Sequence, residues 1–577
     1  MKIRLLKLCL IMALVCPAVM FGQRIQQPLG RGVVAVKRGT NVLVSWRKLA
    51  QENEKCTYNL YKRTTGGGSY SKINANPLSL TNYLSSTTEI PFNTDLAISV
   101  INNGVEGEIS TPFSFKEQAW NNVYADINFE NNVVKANDYK AKYCWPADLD
   151  GDGEYDFIVD RLSQNLDSTS HKIQAYLRDG TCLWTVDMGP NINIDAGQND
   201  MVIAYDINCD GKAEVIIKSS DGTRFWDKNS NTWGKYVFGK ETADVDGDGI
   251  IDYTKQTVRN APFYVTVING MTGEEMTSAE LDYSQVHDGV DTYTRDNKAD
   301  YMGDDYSCMH GHFAICYFDG VHPSLAMECL DRTASTQVHH NYVFAFGYDW
   351  NNGTPSNWHH YYTWSRNDKT PWPAEFHQLR VCDVDGNGID EMLQGGYGVN
   401  PVNNMVFSAG IGHGDRYRVS DIDPDRPGLE TYAIQQSDLL GQLIYDAATG
   451  THIKEWYLPS VSDVGRGECM DVDPAHKGYE IYSTMQNLYD CKGNVIKEGD
   501  TPFPYEGIWW DGDLGRETLG SPGGSNYGSN VLISDYDQIK GDRQINISSE
   551  SNWAVHAGPA VRPLFFGDIA GDWREEV

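Results

Sequence analysis

Asp148-Leu-Asp150-Gly-Asp152-Gly-Glu-Tyr-Asp156 follows a hydrophobic strand-like run, and the same order of residues returns along the chain. Clear copies are Asp206-Ile-Asn208-Cys-Asp210-Gly-Lys-Ala-Glu214, Asp244-Val-Asp246-Gly-Asp248-Gly-Ile-Ile-Asp252 and Asp383-Val-Asp385-Gly-Asn387-Gly-Ile-Asp-Glu391. Degenerate versions begin at Asp421 (DIDPDRPGLE, with Asp423), Asp471 (DVDPAHKGYE, with Asp473), Asp511 (DGDLGRE) and Asp568 (DIAGDWREE). Oxygen ligands at alternate positions, a glycine that permits a sharp turn and a later carboxylate that closes the shell describe a hard-cation cage of the calcium type. The starts at 148, 206, 244, 383, 421, 471, 511 and 568 are separated by 58, 38, 139, 38, 50, 40 and 57 residues. That spacing predicts one loop per repeat of an architecture that stacks small sheets, with an insertion after the third copy.

The runs after the loops (FIVDRL, VIIKSS, YAIQQS) are β-like, and no long helical period follows Trp120. Four-stranded units at a period of about 40 to 50 residues predict a propeller. The expectation is an all-β chain whose residues 119–577 form an eight-bladed β-propeller with calcium-binding loops; a parallel β-helix is the runner-up, with much shorter repeats. Ahead of it, residues 24–118 alternate apolar and polar residues in short runs (VVAVKR, NVLVSWRK, TYNLYKR, LAISVIN) between Gly-, Asn- and Ser-rich turns, which predicts a small immunoglobulin- or fibronectin-like sandwich. The sequence stops at Val577, directly after the eighth loop. A blade needs further strands, so the last blade is expected to be incomplete and the sequence truncated, or the blade to be completed near Val123–Phe129.

The 577 residues carry 47 basic and 79 acidic side chains, a formal charge of -32. This argues against nucleic acid or an anionic membrane as partner. Met1–Gln23 has a basic start, an apolar stretch from Leu8 to Val15 too short to span a bilayer, and small residues at Ala18 and Gly22, which reads as a secretory signal on a secreted or periplasmic protein with no membrane span. Ten of the 12 cysteines follow it without paired spacing, and a domain this large needs no disulfide framework.

The stretches RGVVAVKRGTNVLVSWR, ADLDGDGEYD, YDINCDGKAEVIIKSSDGT, YFDGVHPSLAM, GIGHGDRYRVSDIDPDRPGLE, DVGRGECMDVDPAHKGYEIYS, GIWWDGDLGRE and GDWREEV together resemble the family 11 rhamnogalacturonan lyases. The resemblance implies a secreted enzyme with an eight-bladed propeller, Ca2+ as cofactor and an acidic plant-type polysaccharide as substrate, cleaved at rhamnose-uronate linkages by β-elimination. That chemistry asks for a base at the uronate C5 proton and for positive charge on the adjacent carboxylate, which calcium can supply as a Lewis acid. The family's motifs place two histidines and an arginine around the catalytic calcium. By resemblance His377 (EFHQLRVCDVDGNG) and His413 (GIGHGD) belong to that metal site, and Arg466 (DVGRGECMDVDP) takes the base or carboxylate-binding role. Asp415 and Asp383 are adjacent acidic candidates. The bland alternative packs His413 in a tight Gly-His-Gly turn and pairs Arg466 with Asp463 or Asp471.

Some cleft motifs depart from the family. An Asn-Gly-Thr-Lys segment with an implicated lysine is replaced here by SSESNWAVHAGPAVRPLFFGD, which has no lysine and leaves His556 and Arg562 as substitutes. The segments Ile194–Asp200 and Glu328–Thr336 also differ from the family pattern. His310/His312, His339/His340 and His359/His360 have no Cys or Glu partner at zinc-like spacing. The aromatic segments around Trp350, Trp358–Trp364 and Trp509–Trp510 can pack between blades or stack on sugars. Competing readings are a lyase for another rhamnose- and glucuronate-containing polysaccharide, and a calcium-dependent carbohydrate-binding propeller without catalysis.

Overall fold

The computed structural model describes residues 24–49, 52, 55–116, 139–163, 171–189, 192, 202–220, 222–227, 229–237, 263–280, 311–332, 339–368, 375–400, 405–485, 487–499, 501, 506–510, 515–520, 530–535 and 543–548. The signal-like segment, the acidic loops at Asp244 and Asp568, residues 511–514, His556 and Arg562 lie outside the described residues. The described residues are all-β, and among them no helix is long and apolar enough to cross a membrane.

Two sheets make the sandwich. One holds Val34–Arg38, Asn41–Ser45 and Asn82–Ser86; the other holds Ser71–Lys72, Thr57–Thr64, Thr94–Asn102 and Val105–Glu106, with Phe113–Phe115 on Thr94–Asn102. Alternation along each strand turns Val42, Val44, Leu60, Leu96 and Ile98 inward around Trp46 and Tyr58, whose rings meet edge-on at 5.5 Å.

Among the described residues seven further antiparallel sheets follow in chain order. Sheet I holds Tyr139–Ala147, Asp156–Ser163, Lys172–Tyr176 and Cys182–Asp187; sheet II holds Val202–Tyr205, Glu214–Ser220, Phe263–Ile268 and Glu275–Glu280. Sheet III holds Gly311–Cys316, Ser324–Arg332, His339–Asn351 and Thr354–Asp368; sheet IV holds Glu375–Cys382, Glu391–Gly395, Tyr397–Asn400 and Met405–Ser408. Sheet V holds Tyr417–Ser420, Glu430–Ile434, Leu440–Asp446 and His452–Tyr457. Sheet VI holds Gly467–Met470, Glu480–Ser483, Asn487–Tyr489 and Val495–Glu498, and sheet VII Gly507–Ile508, Glu517–Gly520, Asn530–Asp535 and Arg543–Ser548. The hairpin Arg224–Asp227/Thr232–Tyr236 leaves sheet II and adds to the edge strand of sheet I, making it six-stranded.

From sheet I to sheet VI the first strands of successive sheets lie side by side. The second strands Glu214–Ser220, Glu391–Gly395, Glu430–Ile434 and Glu480–Ser483 are buried at every residue, because a neighbouring sheet covers each face. This explains why Val215, Ile216 and Ile217 run consecutively, putting apolar side chains on both faces rather than alternating.

Acidic loops join first to second strands at Asp148, Asp206, Asp383, Asp421 and Asp471. The copy at Asp244 falls elsewhere. It lies between Thr232–Tyr236 and Phe263–Ile268, hence in the connection from the second to the third strand of sheet II, and does not open a repeat. The equivalent turn of sheet III is Tyr317–Pro323, which lacks the Asp-x-Asp pattern. The gap of 139 residues therefore contains a whole sheet as well as inserted chain.

The segment before the sandwich straps across these turns. Arg24 pairs with Asp390 at 2.8 Å, Ile25 N donates to Val321 O at 2.8 Å, Gln27 Nε2 donates to Asp148 O at 3.3 Å, and Gly30 N donates to Gly153 O at 2.7 Å. The close approach at the last contact requires glycine. Gly153 has φ +89, and a Cβ there would lie 2.5 Å from Gly30 N. Gly153→Ala should lower the melting temperature by several degrees, from a left-handed strain of about 1–2 kcal/mol plus displacement of the strap. Gly428→Ala, at φ +91 with nothing within 4 Å, should lower it less; equal shifts in a thermal melt would show that the strap contact contributes nothing.

Candidate active site

The acidic loops are built on one device. The closing acid is the first residue of the second strand and accepts N–H groups from its own loop: Asp156 from Leu149 at 3.0 Å, Glu214 from Asn208 at 3.3 Å and Glu391 from Val384 at 3.0 Å. Glu480 takes Val472 and Asp473, both at 2.9 Å, and Glu517 takes Trp510 at 2.8 Å. In the first loop Asp148 also accepts Gly151, Asp152 and Gly153 N–H at 2.8, 3.1 and 2.8 Å. One oxygen of each of Asp148, Asp150 and Asp156 lies within 4.8 Å of the others, and Asp383, Asp385 and Glu391 repeat this arrangement. Such oxygen-only sets fit a hard cation, whose ligands sit about 2.3–2.6 Å from the ion.

The other loops differ. Asn208 Nδ2 donates to Glu214 at 3.0 Å and to Asp210 at 3.3 Å. In the fifth loop Arg426 pairs with the closing Glu430 at 2.8 Å, so a guanidinium supplies the positive charge; Asp421 is exposed, and Asp423 accepts the Asp425 N–H at 3.1 Å. In the sixth, Asp471 Oδ1 and Glu480 Oε1 are buried without a hydrogen-bond partner among the described residues, which suits a cation, while Asp473 meets His476 at 3.2 Å. Asp244, Asp246, Asp248 and Asp252 lie outside the described residues. Asp152 and Asn387 stand exposed or half-exposed at the loop tips, accepting the Glu154 and Ile389 N–H groups at 2.8 Å each.

Burial, with neighbouring carboxylates adding to it, raises the closing acids: Asp156 and Glu391 to about 7, Glu214 and Glu480 to about 8, and Asp148 at its loop start to about 6. Without cations these groups resist ionisation at neutral pH.

A second cluster gathers at the opposite ends of the strands. His377 lies on the first strand of sheet IV, His413 and Asp415 in the connection from sheet IV to sheet V, and Arg466 directly before sheet VI. Gly414 forces the approach, because a Cβ there would fall 1.9 Å from Ile434 O. The His377 and His413 rings stand edge-on with centroids 4.8 Å apart. Asp415 joins the group: its Oδ1 is 3.5 Å from His377 Nε2 and 4.0 Å from His413 Nε2, and its Oδ2 is 2.7 Å from Arg466 Nη1. Burial alone would raise the Asp415 carboxyl. The His377 hydrogen bond and the charges of His377, Arg466 and His413 outweigh it and hold the group well below the usual carboxylate range.

The structure thus brings His377, His413 and Arg466 together through Asp415. Arg466 pairs with neither Asp463 nor Asp471 in this arrangement. Asp383 is separate from the cluster: it follows His377 by six residues along one strand, roughly 20 Å, and belongs to the acidic loop. Arg418 is a residue that sequence reasoning missed. It donates from Nε and Nη2 to Glu468 at 2.6 Å each and pairs with Glu506, tying the first strands of sheets V and VI three residues past Asp415 and two past Arg466. Nothing short of knowing which strands are neighbours marks that pair. His359 and His360 place one ring nitrogen each at a backbone carbonyl, of Asn357 at 2.9 Å and Tyr362 at 2.7 Å, and His359 Nε2 lies 3.9 Å from Asp349.

Residues 126–577 match the family model of the rhamnogalacturonan lyase family 11 C-terminal domain, and residues 24–115 that of the rhamnogalacturonan I lyase β-sheet domain. Rhamnogalacturonan endolyase YesW of Bacillus subtilis (strain 168) is 32% identical over 584 residues, covering 98% of this chain and 84% of the relative. Rhamnogalacturonan exolyase YesX of the same organism is 29% identical over 589 residues, covering 96% and 87%. The crystal structure of YesW and that of a Bacillus licheniformis rhamnogalacturonan lyase each superpose with a TM-score of 0.72 at 29% identity, over 96% of this chain and 88% of the other. With the sheets and the cluster described above, these matches define a polysaccharide lyase. The chain belongs to rhamnogalacturonan lyase family 11.

The acidic loops make stability depend on cations and pH together. Each raised acid binds its proton more tightly in the folded than in the unfolded chain, so the cation-free fold gains stability at low pH and loses it as pH rises through about 6 to 8. Chelation should therefore lower the melting temperature markedly at pH 8 and much less at pH 5.5. A melting curve at pH 8 that ignores chelator would show that the loops hold no ion that matters to the fold.

Proposed function

We propose that this chain cleaves rhamnose-uronate linkages of a rhamnogalacturonan I-type polysaccharide by β-elimination at the cluster centred on Asp415. The observation that carries this reading is the convergence of two imidazoles and a guanidinium on one carboxylate, His377, His413 and Arg466 each within 4.0 Å of Asp415. The family relatives named as rhamnogalacturonan endolyase and exolyase support the substrate class.

In the elimination a base takes the C5 proton of the uronate, the electron pair becomes the C4–C5 double bond, and the C4–O bond breaks so that the glycosidic oxygen leaves with its pair and is protonated. His377, His413 and Asp415, which gather one ligand atom each, would hold a cation there; the carboxylate suits calcium, whereas the two imidazole nitrogens are softer donors, so a calcium ion would need further oxygen ligands. Bound there, the ion would draw charge from the uronate carboxylate and acidify C5. Asp415, kept ionised by its neighbours, presents a full negative charge to that position. Arg466 lies beside it with a planar fork, suited to pairing with the uronate carboxylate in its charged form or to taking the C5 proton in its neutral form. Arg418 and Glu468 hold the two loops in register, since a shift of about 1 Å in such groups can remove much of a rate enhancement.

The same reading extends to the fold and the location of the protein. Seven described sheets in chain order, the first six with adjacent first strands, and an eighth acidic loop at Asp568 support an eight-bladed propeller; a crystal structure with another number of sheets in the ring, or an open array, would overturn this. The leader-like Met1–Gln23 supports secretion or a periplasmic location, which an intact leader on the mature protein would contradict.

Incubation with rhamnogalacturonan I should release products with the ultraviolet absorbance of an unsaturated uronate, and chelator should suppress it. Saturated products, or cleavage confined to other polysaccharides in a panel, would refute the assignment. His377→Ala and His413→Ala should abolish turnover while the melting temperature stays close to wild type; full turnover in either removes that residue from the site. Arg466→Lys keeps a charge but loses the fork, and kcat should fall by at least about a hundredfold. Near-normal turnover of Arg466→Ala would place the essential group elsewhere.

A further inference from the structure

At the ends of its strands remote from the acidic loop, sheet I carries an unusual cross-strand row. Arg161 pairs with Lys172, Lys172 with Asp187, Asp187 with Arg224 and Arg224 with Tyr236, residue opposite residue across five strands. Directly opposed residues share a face of the sheet. The row thus places three cations and one carboxylate on one side, in a chain of net charge -32; Arg161, which donates to Gln174 Oε1 at 2.8 Å, and Lys172 are buried, and Arg224 is the cation that reaches the surface. Lys172 Nζ is 3.1 Å from Asp187 Oδ2, whereas Arg224 Nε stands 3.9 Å from the same oxygen and gives Nη1 to the Tyr236 hydroxyl at 3.1 Å.

Aromatic rings cover the cations. Trp233 lies 5.5 Å from Lys172 Nζ and 5.1 Å from the Arg224 guanidinium carbon, and Trp226 meets Trp233 edge-on at 5.2 Å. Lys172 is nearly buried, but the Arg224 side chain is 32% exposed at the rim, and Trp226 and Trp233 are only half buried. All three rim residues come from the hairpin that leaves sheet II to extend sheet I. Packing alone does not call for a guanidinium and two indoles on an edge hairpin.

We propose that this row and its tryptophans form a second saccharide-binding site, which takes an anionic sugar of the same polymer remote from the bond being cleaved. The proposal rests on the reading of the substrate as an acidic polysaccharide. Arg224, backed by Lys172, receives the uronate carboxylate as a charge-assisted fork, and the sugar ring lies against the Trp226 and Trp233 indoles. An acidic polymer approaching a protein of this net charge is repelled except where cations cluster, so the row is a natural place of attachment. His413, Asp415 and Arg466 also lie at strand ends remote from the acidic loops, so one polymer can run from the row to the cluster across the same side of the sheets.

The test uses the full chain and two variants, Arg224→Gln and Trp233→Ala, in affinity electrophoresis through gels containing rhamnogalacturonan I, polygalacturonate or neutral galactan. The wild type should be retarded by the two acidic polymers, and each variant should bind them about tenfold more weakly. KM on long polymer should rise to match, with kcat and turnover of short oligosaccharides unchanged. Melting temperatures verify folding; if Arg224→Gln melts early, Trp233→Ala decides. Retardation of both folded variants equal to wild type overturns the site, and an equal loss on neutral galactan overturns its anionic specificity. Should the wild type fail to cleave rhamnogalacturonan yet lose acidic-polymer binding on either substitution, the reading of the reaction fails while this site stands.

Discussion

A carboxylate buried at the first residue of the second strand, in every described sheet of the series except sheet III, is the constraint on which the rest of this molecule depends. Asp156, Glu214, Glu391, Glu430 and Glu480 are all nearly inaccessible, and each accepts N–H groups from the loop that precedes it. The strand that follows is covered on both faces, so the acid cannot reach water. It must instead be satisfied by the loop backbone and by a positive charge. The backbone bonds shape the turn. The demand for charge makes the extra carboxylates that most of these loops carry around the same point a set a divalent cation would neutralise, and it is met in the fifth loop by Arg426 on Glu430.

Because the first strands of successive sheets lie side by side, fixing one end of every strand in this way fixes the other end as well. His377 and Asp383 make the point on one strand and the residue after it: one belongs to the Asp415 cluster, the other to an acidic loop, and only the strand between them connects the two places. Strand-end loops drawn from different sheets then converge on Asp415. The Arg418–Glu468 pair sets the register between sheets V and VI at the level where that convergence occurs. A bidentate pair is directional, so it specifies one alignment of neighbouring strands rather than merely attracting them.

How much of this was legible in the sequence follows from which interactions are local. The acidic loops are complete within nine or ten residues, and their ligands, their glycines and the buried strand after them could all be read from the order of letters. The turn of sheet III could not. Tyr317–Pro323 has no Asp-x-Asp, and the carboxylate that accepts the Tyr317 N–H at 2.8 Å is Asp390, contributed by sheet IV. Asp244 misled for the complementary reason: a complete local motif says nothing about which strands it joins. In the cluster, the histidines and Arg466 were identified through motifs, but the bridging place of Asp415 depends on contacts between chain segments about fifty residues apart. The row on sheet I was equally hidden, since Arg161, Lys172, Asp187 and Arg224 become neighbours only once four strands are paired.

Net charge acquires a different meaning once the acids are placed. Taken as a sum, -32 describes a protein that an acidic polysaccharide would avoid. Yet many of the carboxylates turn inward at one end of the sheets, where cations and backbone N–H groups can quench them, while Arg466 and Arg224 stand at the other. At physiological ionic strength a charge is felt over about 8 Å, much less than the length of one of the longer strands. A polyanion on that side therefore responds to the arginines near it and scarcely to the acids behind them. Segregating the two signs along the strand axis allows one fold to meet the demands of its buried carboxylates and still present a surface to an acidic chain.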